Sequence, residues 1–401
     1  MILTRGARIT GAVLSAVLAA MVLGWIVRDV RAAGEPQDLL RYWAGYTGSR
    51  PEGQPATLQA DAVLLVVYVC AFLAALRSSV AASTLVVTGI VTFALRLPGV
   101  WTIGGSWMDG RYGDELRTRA LVGTFVALGA GLALIVTGAA GRRQPAGSHE
   151  PRPTRPGQGA GVVAFLVFGA SGVVMIAWEI RQFVTLPSEL YPDWFIGGRV
   201  ILTGLTAAPP GWSSMALAVS CLVVAWTALF RAVHARPLGM TAAGFLLVAG
   251  VCGIARAHHH RMVDHFGDLG AEQQLTVLTS VLFALAGATG LLALARRGFE
   301  DADGRDQEYG GYGYPQTDAQ GYGYPQSGGP GYGYPQSGGP GYGYPQSGGP
   351  GYGYPQSGGP GYGYPQSGGP GHPQSGGPGN GHPPGGGAGS PPPPASPPPG
   401  W

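Results

Sequence analysis

The 401-residue sequence contains no lysine: all 24 of its basic residues are arginine. That absence removes a Schiff base to retinal or pyridoxal phosphate, and with it the phosphate-binding lysine of a P-loop. Asparagine occurs once, as Asn380. Cysteine is scarce, and Cys70, Cys221 and Cys252 all fall in apolar runs, so buried thiols are expected and a disulfide framework is not supported. Charged residues make up only 11% of the chain, and the net +3 averages two unlike segments. No basic patch interleaved with aromatics is present, which argues against nucleic acid as a partner. Beyond residue 298 Leu, Ile and Val all but vanish, so that segment has no means of burying a core.

What the rest of the chain does have is apolar length. A bilayer-crossing helix needs about 20 mostly apolar residues, at a rise of about 1.5 Å each. Runs without charge cover Ile9–Val27, Ala62–Leu76, Val80–Leu95 and Ala120–Gly141, then Gly159–Trp178, Ser214–Phe230, Pro237–Ala255 and Leu275–Ala295. The predicted fold is therefore all-α, a polytopic membrane bundle of eight transmembrane helices in contact with the lipid bilayer. The first run follows Arg5 and Arg8 as a signal peptide would, but it exceeds the usual apolar length, and Trp25 stands where small residues would prepare cleavage. A retained helix is expected. The helix interiors read as uncharged, which disfavours an ion-driven pump with midplane carboxylates.

The connections divide into two sets. One holds eleven Arg and, before the tail, the single acid Glu150; the other holds a similar number of Arg with fourteen acids. The Arg-only set includes the shortest turns, and most Trp residues lie toward the opposite side, so both termini are placed in the cytoplasm.

The chain also repeats itself. Trp25-Ile-Val-Arg28 recurs as Trp178-Glu-Ile-Arg181, and Met108-x-x-Arg111-Tyr112-Gly113-Asp114 as Met262-x-x-His265-Phe266-Gly267-Asp268. Arg77 matches Arg231, and Arg142-Arg143 matches Arg296-Arg297, all at spacings of 153 or 154. This predicts two parallel four-helix repeats, at 1–146 and 159–298, joined by a polar cytoplasmic connection at 147–158 and followed by a disordered tail at 299–401. Four helices return the chain to its starting side, so the halves should be related by a twofold axis along the membrane normal. The lysine-free, Ala/Gly/Arg-rich usage suggests a high-GC bacterial genome, and the whole resembles uncharacterised actinobacterial multi-pass membrane proteins.

Several residues are candidates for chemistry. If the halves face each other, Trp25, Arg28, Arg111 and Asp114 with Trp178, Arg181, His265 and Asp268 would surround an outer vestibule, where arginine forks suit carboxylate or phosphate groups. Helix-end anchoring explains the same residues. His260, Asp264, His265 and Asp268 have spacings compatible with a metal, although the first half has no matching histidines and the neighbours are basic. Gly169-Ala-Ser171-Gly172 resembles the serine motif of rhomboid intramembrane proteases, yet His258, the nearest partner, sits at a helix end. No nucleophile, base and stabiliser converge, so neither enzymatic activity nor a cofactor is expected. The loop 199–213 has the composition of a surface or re-entrant segment.

The tail carries Gly-Tyr-Gly-Tyr-Pro-Gln-Ser-Gly-Gly-Pro five times between Gly321 and Pro370. Glycine and proline at this density prevent regular structure, while spaced tyrosines act as multivalent stickers. The leading expectation is a membrane-anchored scaffold whose tail recruits cytoplasmic protein partners. The alternative is a transporter or solute-binding protein using the vestibule.

Overall fold

A computed structural model describes residues 2–46, 54–144, 154–198, 204–295, 299–300, 336–337 and 346–347. The chain divides into two units, Met1–Tyr309 and Gly310–Trp401. Of the decapeptide tail, only 336–337 and 346–347 are described; the rest of the expected disorder lies outside the described residues.

Eleven helices are described in the first unit: α1 (Arg5–Ala33), α2 (Pro36–Ala44), α3 (Gln59–Arg77), α4 (Ala81–Arg96), α5 (Gly99–Thr102), α6 (Asp114–Ala140), α7 (Gln158–Thr185), α8 (Tyr191–Ile196), α9 (Pro210–Leu229), α10 (Ala235–His259) and α11 (Ala271–Ala295). With α4 and α5 taken together as one rod, eight helices are long and apolar enough to cross a membrane. In seven of the eight, 39% or less of the apolar stretch is buried. Leu285, Leu292 and Val173 stay more than 60% exposed, a burden of bare apolar surface that water would not tolerate but lipid would.

Each expected span lies in one of these helices to within a residue, but each helix runs past its apolar run at one end or both. Thr4 caps α1 by accepting from Ala7 N–H at 3.3 Å, and α1 then continues to Ala33, where Gly34 (φ +83°) ends it. The extra turns carry Asp29 inside α1 and Glu179 inside α7, while Asp61 and Arg96 sit within α3 and α4. All four are buried; they lie outside the expected uncharged spans, in the end turns that the helices add near one end of the bundle. Cys70 is exposed rather than buried; Cys221 is buried, Cys252 is partly so, and all three are free. Helix α9 begins at Pro210, four residues earlier than expected, so Pro210–Ser213 is helical. Residues 199–203 of that loop lie outside the described residues.

The two halves use the same packing partners. Helix α1 packs on α3 and α4 on α6, just as α7 packs on α9 and α10 on α11. A two-residue antiparallel ladder closes each half, pairing the segment before its first long helix with the segment after its fourth. In the first half β1 (Ile2–Leu3) meets β2 (Arg142–Arg143); in the second β3 (Thr154–Arg155) meets β4 (Phe299–Glu300). Glycine lets α4 approach α6 and α10 approach α11. A methyl group on Gly131 would stand 3.1 Å from the Gly89 carbonyl, and one on Gly287 would stand 2.6 Å from the Ala243 carbonyl. Within the second unit, β5 (Gln336–Ser337) and β6 (Gln346–Ser347) pair in parallel.

Candidate functional site

The long connections converge on one face, where a buried polar joint ties the halves together. Asp29, fully buried, accepts from the Ala56 and Thr57 N–H groups at 2.9 and 2.7 Å and from the Thr57 hydroxyl at 2.6 Å. Its other oxygen takes the Arg28 guanidinium at 2.7 Å. One turn into α3, Asp61 meets Arg96 at 2.5 Å and accepts from Leu58 N–H at 3.0 Å. Arg96 also donates to the Thr206 carbonyl at 2.7 Å, and Thr206 N–H donates to the Ala56 carbonyl at 3.0 Å. A segment of each half is thus held by the other's backbone. Tyr112 donates to the Pro55 carbonyl at 3.1 Å, and burial pushes its phenol up to about 12, with Tyr42 and Asp29 adding to the rise against Arg111. It therefore stays a neutral donor at physiological pH.

Beside this joint lies a cavity of about 580 Å³, walled mainly by α7, α9, α10 and α11, with α3 and α4 on its far side. Along α10 its lining runs from Leu238 to Arg256, roughly 27 Å of helix axis at about 1.5 Å per residue. The cavity is therefore an elongated slot that follows α10. Away from the joint its wall is apolar, with Met175, Leu217, Leu238 and Phe245. The serine and threonine hydroxyls that line it are mostly spent on their own helices: Ser220 donates to the Ala216 carbonyl at 2.7 Å and Thr241 to the Pro237 carbonyl at 3.0 Å. The charged lining residues, Glu179, Arg256 and Glu272, gather at the end nearest the long connections.

Glu179 is 4% exposed. Its Oε2 accepts from the Trp194 indole at 2.9 Å, and among the described residues no cation lies within ion-pair distance. Gly211 makes this placement possible, because a methyl group there would fall 2.7 Å from the Trp194 Nε1. The adjacent Arg181 turns instead to Glu272 at 2.7 Å and rides 5.5 Å above the Trp178 ring, whose own N–H donates to Thr279 at 3.0 Å.

Of the predicted vestibule residues, Arg28 and Arg111 both reach Gln54, but the matched arginines and aspartates are not paired with one another. Among the described residues, no ion pair joins Arg28 or Arg181 to Asp114 or Asp268. Asp114 is fully exposed and reaches Arg117 only at 3.8 Å. Asp268 and His265 are exposed, Arg111 lies 5.9 Å from the Tyr112 ring centre, and Trp25 packs against the buried cluster that includes Ile103, Met108 and Tyr112. Of that set, only Trp178 lines the cavity. His260, Asp264, His265 and Asp268 are all exposed, and among the described residues no three His, Cys, Asp or Glu side chains gather to hold a metal. Ser171 is fully buried and donates to the Val167 carbonyl at 2.8 Å, an ordinary intrahelical bond. Glu179 was missed because its charge was read as the end of a span. The available signal was its position: it replaces Ile26 in the otherwise matching Trp-x-x-Arg pairs.

No protein-family model, no curated protein and no solved structure matches this chain.

Proposed function

We propose that the chain is a multi-pass protein of a bacterial cell membrane that holds an elongated amphiphile in the slot of its second half. The slot itself carries this reading: it is long, apolar away from the joint and charged at one end, as a molecule with a tail and a polar head requires. Two parallel four-helix repeats, with both termini cytoplasmic, remain our reading of the architecture, supported by the recurrent motifs and the matching closure of each half. The slot then opens toward the outer face. Its occupant is bound rather than converted, since the lining offers no nucleophile with a base beside it.

The test is binding of a fluorescent dodecyl-chain reporter to the full chain in phosphatidylglycerol nanodiscs, with empty discs as background. Saturable binding above background is expected, and Ser220→Phe, which places a ring in the middle of the slot, should weaken it by about tenfold or more, as steric exclusion from an apolar pocket does. Binding indistinguishable from empty discs would sink the proposal.

The tail offers a second reading, carried by the five decapeptides: a scaffold that recruits cytoplasmic partners. Comparing co-purified proteins from the full chain and from one ending at Phe299 tests it, and identical partner lists would remove it.

A further inference from the structure

Resting on the slot as a binding site, we propose that its occupant carries an ammonium head, received by Glu179 and the surrounding indoles. The slot is not neutral at its charged end. Two carboxylates and one guanidinium line it, and Glu272 is already engaged by Arg181, which lies outside the lining. Glu179 is left as the buried acid with a single neutral donor. Carboxylates are rarely buried unless paired, because desolvation costs more than one hydrogen bond returns. Glu179 Oε1 takes no hydrogen bond among the described residues, and Arg256, the one guanidinium in the lining, is exposed. A ligand that brings a cation to Glu179 supplies the missing partner.

The surroundings favour an ammonium over other cations. Trp178 and Trp194 both line the slot, and the Trp178 ring already holds the Arg181 guanidinium at 5.5 Å, the attraction for organic cations that an alkylammonium would share. A primary or quaternary ammonium on an alkyl chain also matches the rest of the cavity, since the chain would follow the apolar wall formed by Met175, Leu217 and Phe245 toward Leu238. A hydrated metal ion would find neither the ligand count nor the polarity it needs there. An anionic head would have to approach Glu179 itself, leaving only Arg256 in its favour.

Three probes with one tail and different heads separate the possibilities: dodecylammonium, dodecanol and dodecyl sulfate, each displacing the fluorescent reporter from the full chain in nanodiscs. Dodecylammonium is expected to bind about tenfold or more tighter than dodecanol, the scale of a charge-assisted contact. In Glu179→Gln that preference should fall to about twofold or less, because the amide still accepts from Trp194 but carries no charge. Equal binding of dodecylammonium and dodecanol to the wild-type chain would overturn the ammonium assignment and leave the slot standing. Tightest binding of dodecyl sulfate would overturn it in favour of Arg256, and an undiminished preference in Glu179→Gln would remove Glu179 from the site. If no probe displaces the reporter, the slot reading falls with the inference. The head-group series on the wild-type chain tests the assignment even if Glu179→Gln fails to fold.

Discussion

Replacing Arg96 by Met while Asp61 stays should cost about 3–5 kcal/mol of stability, because it strands a buried carboxylate. Asp61 is 3% exposed and Arg96 8% exposed, so water cannot reach in to replace the lost partner. The substitution also removes the donor to the Thr206 carbonyl, loosening the contact between the halves. Adding Asp61→Asn should recover most of the loss. The amide keeps an oxygen for Leu58 N–H and Thr206, and replacing both ions of a buried pair is often close to neutral. Unfolding midpoints in detergent for the two single variants and the double variant give the comparison as a mutant cycle. A single-variant loss below about 1 kcal/mol, the range of exposed ion pairs, would show that the pair is solvated.

The eight spans were legible because the signal for each is local: a run of apolar residues comparable to the thickness of hydrocarbon. What was not legible lies at their ends. Charge was taken to terminate a span, whereas α1 and α7 run on past Arg28 and Arg181 and bury Asp29 and Glu179 as they go. Their burial depends on connections folding back over them, as Ala56 and Thr57 do over Asp29, and no periodicity reports that. The slot was invisible for the same reason. Its residues come from seven helices, and each apolar lining position, such as Leu217 or Phe245, looks in sequence like any other apolar residue. Matching motifs fix where residues stand along equivalent helices, not whether two helix ends meet, so a vestibule could not be read from them.

The repeat spacing shows how the halves diverge. At a spacing of 154, Gly250 stands opposite Arg96, and at 153 Ile26 stands opposite Glu179. The first half thus has the arginine that builds the polar joint and lacks the acid of the slot; the second half has the reverse. Where Arg96 reaches toward Asp61, Gly250 instead lets α11 close in. Single side chains thus set the two halves apart: Arg96 in the first serves the polar joint, and Glu179 in the second serves the slot.

That division makes the α10–α11 crossing the place where one methyl group should matter most. In Gly287→Ala the added carbon would fall 2.6 Å from the Ala243 carbonyl oxygen and 2.6 Å from the Leu247 Cα. These are backbone atoms of α10 and cannot rotate away, so the helices must separate. The expected loss is about 1–3 kcal/mol, although alanine is intrinsically the better helix former by about 1 kcal/mol. Gly129→Ala is the matched control: nothing lies within 4 Å of a methyl group there, so propensity alone acts and stability should hold or rise. Opposite signs in detergent unfolding would show that close backbone approach, and not glycine content, holds this pair. The same substitution reads on function, since α10 and α11 both wall the slot through Phe245, Ala249, Thr279 and Phe283. Forcing them apart should widen it and weaken reporter binding, while Gly129→Ala should leave binding unchanged. Equal tolerance of both substitutions would mean that α10 and α11 are not in backbone contact, and the wall they form would have to be redrawn.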